Sequence, residues 1–263
     1  MNFQTKPLTA GLYFVATPIG SARDITLRAL DVLASADLLA AEDTRTARKL
    51  MEIHGVPLNG RQIVAYHDHS GDAPTKRLVS AVHAGKSVAY VSEAGTPLIA
   101  DPGYELGVAM AAAGLPVTAA PGASAVLAAL TVSGLATDRF AFIGFLPNTD
   151  AKRKAEIAEL RNLPMTLVFY ESPKRVSDLL GNLCDVLGEN RAAVVCRELT
   201  KKFEEVSRGS LGDVNKAYAD RTVKGEVVVL VAGSDGEITN ETCLLYTSPS
   251  PRDRQKSRMP SSA

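Results

Sequence analysis

The stretch Val88–Gly103, VAYVSEAGTPLIADPG, decides the fold prediction because it joins an apolar run to a long loop rich in glycine and proline. Val88–Val91 is typical of a strand covered on both faces. The loop Ser92–Gly103 precedes a helical pattern that starts at Tyr104. Ligands of open α/β sheets bind outside the carboxyl ends of strands. We therefore expect Ser92–Gly103 to bind a ligand rather than serve only as a connection.

Two further loops of this kind follow other predicted strands. Thr17-Pro-Ile-Gly20 closes the apolar run that starts at Gly11, and Pro121-Gly-Ala-Ser124 follows the short run Val117–Ala119. Glycine lets the backbone approach a ligand closely, and proline fixes the shape of a loop. Three such loops at strand ends predict one small-molecule cleft.

Short apolar runs alternate with amphipathic runs along most of the chain. This alternation favours an α/β fold with largely parallel sheets. The pattern breaks near residues 134–139 and then restarts, which predicts two α/β domains, 1–136 and 137–242. From Cys243 the sequence is rich in Ser, Pro and Arg and has no period. We expect residues 243–263 to be a disordered tail that is not native to the protein.

Composition narrows the class of protein. The 263 residues carry 29 Lys and Arg against 29 Asp and Glu, which argues against a uniformly basic nucleic-acid binder but allows a local basic patch. We expect no membrane span and no secretory signal, because no apolar run is long enough and the first ten residues lack an apolar core. Three cysteines are too few for a disulfide framework or a four-cysteine zinc site, so we expect reduced thiols in the cytoplasm.

Charged motifs end several predicted strands. In Ala41-Glu-Asp-Thr-Arg45, Asp43 is either a simple helix N-cap or, with Glu42, a chemically active group. His67-Asp-His69 places two imidazoles on one strand face, but no third ligand is evident, so we expect polar groups at a cleft edge and no metal. Tyr170–Arg175 and Arg197–Lys201 are either solvated turns or part of a positive surface for phosphate.

Common nucleotide-binding signatures are missing from the chain. Gly85-Lys86-Ser87 resembles half of a P-loop, but Ser80 stands where the first glycine belongs, and a strand follows instead of a helix. No G-x-G-x-x-G fingerprint occurs.

Taken together, the motifs resemble the tetrapyrrole methylase superfamily. TPIG, AEDTR, YHDH, S-x-AGTPLI-x-DPG, PG-x-SA, GFLP, YESP-x-R, RELTK and KGE-x-V occur in one order over residues 11–232, and the set is most similar to the ribosomal RNA small subunit methyltransferase I branch. The resemblance implies methylation of the 2′-hydroxyl of a cytidine in 16S rRNA of the small ribosomal subunit, with S-adenosylmethionine as the donor. It also implies a donor cleft between two α/β domains and a homodimer.

The resemblance also implies which residues touch the donor. By motif position these are Pro18, Ser92, Ala94, Gly95, Thr96, Pro97, Asp101, Pro102, Gly103, Pro121, Gly122, Ser124, Leu146 and Tyr170. Glu93 stands where the branch usually has Asp, and residues 243–263 stand where the branch usually has a small helical extension.

The implied reaction asks mainly for positioning, because the donor methyl group is already activated. A ribose hydroxyl is a weak nucleophile, so a nearby group should take its proton. The candidates are Glu42, Asp43, His67 and Lys201, of which Glu42 and Asp43 rank first because their motif opens at a strand end. The candidates for binding RNA phosphates are Arg23, Arg45, Arg175, Arg197 and Lys201.

Two alternatives stay open at this point. One is C-methylation of a tetrapyrrole, against which the AEDTR, HDH and RELTK motifs argue. The other is a donor-binding or RNA-binding module that is inactive because its native C-terminus is missing.

Overall fold

The computed structural model describes residues 2–67 and 72–234, which form two five-stranded sheets with helices packed on them. The strands are β1 (Gly11–Val15), β2 (Leu38–Ala41), β3 (Ile63–Ala65), β4 (Ser87–Val91), β5 (Val117–Ala120), β6 (Phe140–Phe145), β7 (Thr166–Glu171), β8 (Ala192–Arg197), β9 (Glu205–Ser210) and β10 (Val227–Val231). The helices are α1 (Leu27–Ser35), α2 (Thr44–Ile53), α3 (Asp72–His83), α4 (Tyr104–Ala112), α5 (Ala125–Ser133), α6 (Asp150–Leu160), α7 (Val176–Leu187) and α8 (Leu211–Tyr218). A 3-10 turn, Ala22–Asp24, precedes α1. Asp68, His69 and the tail 243–263 lie outside the described residues. No described helix is both long enough and apolar enough to cross a membrane.

The first sheet is parallel throughout, as predicted. Its strand order is β3-β2-β4-β1-β5, and β1 and β4 lie side by side with every residue buried. The chain leaves β1 toward β2 on one side and leaves β4 toward β5 on the other side. The carboxyl ends of β1 and β4 therefore flank a crevice, which is the usual position of a ligand in such a sheet.

The second sheet departs from the prediction of largely parallel sheets. Its order is β6-β7-β10-β8-β9, and only the β6–β7 pair is parallel. The β8–β9 pair is antiparallel because the loop 198–204 between these strands is too short for a parallel crossover. Since β10 runs antiparallel to both of its neighbours, the end of β7, the start of β10 and the end of β8 meet at one edge of the sheet.

Helix α5 joins the two halves of the molecule. Val126, Ala129 and Leu130 of this helix pack with Val194 and Val228 of the second sheet in one apolar cluster. Since α5 precedes the predicted boundary at 136/137, the N-terminal half contributes a helix to the core of the C-terminal half. This packing holds the first-sheet loops against the edge of the second sheet where β7 ends. The division 1–136 and 137–242 stays a prediction.

Candidate functional site

A cavity of about 600 Å³ opens between the carboxyl ends of β1 and β4 and the edge of the second sheet. This volume lies within the usual range of small-molecule sites, roughly 300–1,000 Å³. The N-terminal half lines it with Pro18, Ile19, Gly20, Glu42, Thr46, Glu93, Ala94, Gly95, Thr96, Ile99, Ala100, Asp101, Ser124 and Ala125. The C-terminal half lines it with Phe145, Tyr170, Glu171, Ser172, Pro173, Lys201, Gly225, Glu226, Val227 and Val228.

Backbone hydrogen bonds tie two of the predicted loops together beside the cavity. The amide of Thr17 donates to the carbonyl of Gly95 at 2.8 Å, and the amide of Gly95 donates to the carbonyl of Thr17 at 3.0 Å. The hydroxyl of Thr96 donates to the carbonyl of Ala123 in the third loop at 2.9 Å. The three loops that the sequence singled out therefore lie together.

Two glycines are required by the close packing of these loops. Gly103 has a φ of +113°, and a Cβ atom there would lie 2.9 Å from Cε1 of Tyr90. At Gly20, a Cβ atom would lie 2.5 Å from Oγ1 of Thr200 and 2.9 Å from the carbonyl oxygen of Leu199. The amide of Ser21 also donates to Oγ1 of Thr200 at 3.1 Å. The loop after β1 thus seats directly on the loop after β8.

Carboxyl groups dominate the charge of the cavity. Glu42, Glu93, Asp101 and Glu226 all line it, and the amide of Glu93 donates to Oε2 of Glu42 at 3.4 Å. Burial and, after it, the negative charge of Glu42 raise the pKa of Asp101 from 3.8 to about 6, against a hydrogen bond from Ser92 that lowers it. A cavity with this charge favours a cationic ligand.

Lys201 is held by two carboxylates at the edge of the cavity. Its Nζ lies 2.9 Å from Oε1 of Glu198 and 2.9 Å from Oε2 of Glu226. Burial opposes the positive charge, but the hydrogen bonds to Glu198 and Glu226 outweigh it and raise the pKa of Lys201. The side chain is therefore a cation at neutral pH, suited to donate hydrogen bonds rather than to accept a proton.

The structure separates the predicted catalytic residues. Glu42 and Lys201 line the cavity, whereas Asp43 and His67 do not. Asp43 is the N-cap of α2: its Oδ1 accepts from the amide of Arg45 at 2.7 Å, and its side chain pairs with that of Arg45. The hydrogen bond from the Arg45 side chain, followed by that from its backbone, lowers the pKa of Asp43. His67 is exposed beyond β3. No cluster of three potential metal ligands occurs within 2–67 and 72–234.

About half of the residues predicted to touch a cofactor line the cavity itself. These are Pro18, Ala94, Gly95, Thr96, Asp101, Ser124 and Tyr170. The others, which lie outside the lining, are Ser92, Pro97, Pro102, Gly103, Pro121, Gly122 and Leu146. Ser92 stabilises the loop without lining the cavity, because its hydroxyl donates to the carbonyl of Gly95 at 3.4 Å. Leu146 belongs to the apolar core of the C-terminal half and is 3% exposed.

Arg175, predicted to bind phosphate, contacts protein groups behind the cavity. Its Nη2 donates to the carbonyl oxygen of Leu146 at 2.9 Å and lies 3.1 Å from Oε2 of Glu171. The Glu171 side chain has no exposed surface. This contact fixes the turn after β6 relative to the end of β7, and both segments contribute to the cavity.

Among the cavity residues that the sequence argument did not assign to the site, Phe145 and Glu226 supply an aromatic ring and a charge. Phe145 precedes Leu146 in the GFLP motif, and its ring lies 5.7 Å from that of Tyr170. Burial, followed by the charge of Asp101, raises the pKa of Tyr170 to about 12, so its phenol stays protonated. Glu226 stands in the KGE motif, which carried the resemblance but suggested no role. The sequence offered two signals for them: the aromatic residue in GFLP and the acidic residue in KGE.

Comparison with known proteins first defines the class. Residues 11–215 match the family described as Tetrapyrrole (Corrin/Porphyrin) Methylases. Among solved structures, the methyltransferase CobJ is similar with a TM-score of 0.64 and 21% identity, over 86% of this chain and 95% of that one. Uroporphyrin-III-C-methyltransferase from Thermus thermophilus is similar with a TM-score of 0.58 and 20% identity, over 85% and 94%. These structures share the fold: two α/β units of the tetrapyrrole methylase type.

The sequence relatives then narrow the family. Ribosomal RNA small subunit methyltransferase I of Mesorhizobium japonicum is 46% identical over 88% of this chain and 78% of its own length. The protein of the same name from Halalkalibacterium halodurans is 41% identical over 91% and 82%. That from Vibrio cholerae is 45% identical over 84% and 77%. The chain belongs to the ribosomal RNA small subunit methyltransferase I family, which confirms the resemblance found in its motifs.

Proposed function

We propose that the protein transfers a methyl group from S-adenosylmethionine to the 2′-oxygen of a cytidine in 16S rRNA of the small ribosomal subunit. The family and the names of the relatives support the reaction class and the RNA substrate. The observation that carries the proposal is the acidic cavity between the two sheets, bounded by the loops after β1 and β4. We assign the protein to the cytoplasm, where small subunits are found.

The chemistry of the cavity fits this donor. When bound, S-adenosylmethionine supplies a methyl group carried on a positively charged sulfur. Glu42, Asp101 and Glu226 provide negative charge that favours a cation over a neutral product. Pro18 and Ala94 provide apolar surface, and the paired backbone of Thr17 and Gly95 holds the loop rigidly. These residues would hold and orient the donor.

The proton of the ribose hydroxyl needs an acceptor that faces the cavity. We assign this role to Glu42 rather than Asp43, because Asp43 caps α2 and pairs with Arg45. Asp101 lines the same cavity, and the negative charge of Glu42 helps to raise the pKa of Asp101. With a pKa of about 6, Asp101 is a better proton acceptor at neutral pH than an ordinary aspartate, so we propose that it shares this role with Glu42.

A homodimer is the oligomeric state that we propose. Helix α5 is largely apolar, with Thr131 and Ser133 as its polar residues, yet Leu127 on it is 55% exposed. Tyr104 and Val108 of α4 and Val117 of the edge strand β5 are exposed as well. Exposed apolar patches mark interfaces, so this surface is where we place the contact between protomers. Light scattering coupled to size exclusion should give twice the monomer mass.

The proposed function is tested by comparing methyl transfer to two acceptors. Purified protein and labelled S-adenosylmethionine are incubated with small ribosomal subunits that lack the modification, and separately with uroporphyrinogen III. We expect label in the 16S rRNA of the particles and none in the tetrapyrrole. Label in the tetrapyrrole alone would instead show a C-methyltransferase. Donor binding without transfer to either acceptor would show an inactive binding module.

Asp101→Asn should remove the acid limb of the pH–rate profile. In the unaltered protein, single-turnover methyl transfer should rise as the pH passes through about 6, because Asp101 loses its proton there. The variant should be roughly 10-fold slower or more at pH 7.5, with a flatter profile. Asp220→Asn, an exposed position outside the cavity, is the matched control and should behave like the parent.

Although Asp101→Asn should slow the reaction, it should stabilise the protein at neutral pH. The folded pKa of Asp101 lies above its ordinary value of 3.8, so its contribution to stability is present below pH 4 and is lost as the pH rises through 6. At pH 7.5 the free energy of unfolding of the variant, measured by urea titration, should therefore exceed that of the parent by about 1 kcal/mol after discounting for solvent screening. A slower and less stable variant would show that Asp101 serves only the fold.

A further inference from the structure

Two groups of positive side chains near the cavity differ in what they contact. The three predicted phosphate contacts of the C-terminal half are engaged by carboxylates. Arg175 lies 3.1 Å from Glu171, and Arg197 lies 3.1 Å from Glu205. Lys201 is held by two carboxylates as described above. Charges neutralised in this way contribute little to the attraction of a polyanion.

The other group lies on α2 and projects into solvent. Arg45, Arg48 and Lys49 lie three and four residues apart, which places them on one face of the helix. The opposite face carries Ala47 and Met51, both buried. The Arg45 side chain is 91% exposed, so its contact with Asp43 is screened by water.

The rest of this face leaves most of its positive charge available. Arg48 and Lys49 are exposed, and within 2–67 and 72–234 neither has an ion-pair partner within 4.0 Å. Glu52 is the one acidic residue of α2 and lies at the far end of the same face. The face therefore keeps an excess of positive charge, although the whole chain is neutral.

The first turn of α2 reaches the cavity, which places Arg45 beside it. Glu42 and Thr46, at the start of the helix, line the cavity. At the other end, His54 donates from Nε2 to the carbonyl oxygen of Ala22 at 2.8 Å. That contact holds the 3-10 turn and its exposed Arg23 against the end of α2, just after the cavity-lining Gly20.

We propose that Arg23, Arg45, Arg48 and Lys49, here called the α2 rim, form the surface that docks RNA phosphates beside the cavity. The proposal rests on the proposed function and deepens it, because it assigns RNA docking to α2 and the 3-10 turn before α1. Arginine and lysine side chains that contact phosphates fix the position of a nucleic-acid backbone, while the cavity receives the reacting nucleotide. Arg175, Arg197 and Lys201 then stabilise the C-terminal side of the cavity instead of contacting RNA.

The test removes three charges from the rim and, in a control, three from elsewhere. The variant is Arg45→Ala, Arg48→Ala and Lys49→Ala in the full chain. The matched control is Lys152→Ala, Arg161→Ala and Lys216→Ala, three exposed positions on or next to the helical layer formed by α6, α7 and α8. The probe is the small ribosomal subunit lacking the modification, titrated at several salt concentrations, with donor affinity measured by calorimetry.

The rim variant should bind the particle about 10- to 100-fold more weakly near 0.1 M salt, and the slope of log affinity against log salt should fall by about two to three. Its affinity for S-adenosylmethionine and its melting temperature should match those of the parent, as should every property of the control. Equal weakening in both variants, or unchanged RNA binding in the rim variant, would overturn this proposal alone. A parent protein that binds the donor but no small subunit would overturn the proposed function, and this inference with it.

Discussion

Gly103→Ala should lower methyl transfer by about 100-fold or more and destabilise the protein by about 3 kcal/mol. Gly103 has a φ of +113°, which a residue with a Cβ atom rarely adopts. The new Cβ would also lie 2.9 Å from Cε1 of Tyr90 and 3.0 Å from Cδ2 of Leu98. Tyr90 cannot move away cheaply, because its buried ring packs edge-on against Phe14 at 5.7 Å and Tyr66 at 5.6 Å.

The strain that Gly103→Ala introduces would be relieved by a shift of the loop Ser92–Gly103. This shift would push Asp101, Ala94 and Gly95 into the cavity. Donor affinity should therefore fall together with stability. Gly114→Ala is the matched control, since Gly114 has a φ of +67° and nothing lies within 4 Å of its Cβ position. Gly114→Ala should lower the free energy of unfolding by only about 1–2 kcal/mol and leave donor affinity unchanged. Urea unfolding and donor calorimetry on both variants make the comparison. Equal losses in the two variants would refute the role given to close packing against Tyr90.

Arg175→Ala should destabilise the protein by about 2–3 kcal/mol and weaken donor binding. The substitution leaves the fully buried Glu171 carboxylate without its ion-pair partner and frees the carbonyl oxygen of Leu146. Removing one member of a buried pair is costly because the remaining charge stays desolvated. Adding Glu171→Gln should recover part of the loss, since the uncompensated charge is then gone.

An exposed pair supplies the control for Arg175. The Arg139 and Asp138 side chains are 61% and 75% exposed, so Arg139→Ala should change stability by less than about 0.5 kcal/mol. The sequence argument placed Arg175 among the phosphate contacts, and the two roles predict different results. If Arg175→Ala keeps its stability and its donor affinity but loses RNA affinity, the phosphate role is right and the positioning role is wrong.

The parts of this structure that sequence predicts well are those set by local pattern. Strand–helix alternation and the glycine- and proline-rich loops after β1 and β4 were enough to predict an α/β fold and a cleft at the strand ends. Gly20 and Gly103 stood out because glycine and proline punctuate loops. The N-cap role of Asp43 was one of two readings of AEDTR, and the structure shows that cap.

The parts that escaped prediction depend on which distant segments meet. The strand β10 reads as apolar in either direction, so its antiparallel insertion between β7 and β8 has no local signature. Helix α8 was missed although Ser210 and Asp213 form a capping box, a signal that was available. The partners of Arg175 and Lys201 lie on loops and strand ends that only folding brings together. The sequence therefore predicts cationic side chains near the cleft, but it does not show which of them are paired with carboxylates.

The central claim is that this cleft methylates the ribose of a cytidine in small-subunit RNA. Its most direct test is nucleoside mass spectrometry of 16S rRNA after reaction of unmodified small subunits with the protein and S-adenosylmethionine. We predict one new species, 2′-O-methylcytidine, formed by the parent and not detectably by Gly103→Ala. A methyl group on the base, or no methylated nucleoside despite measured donor binding, would contradict the claim.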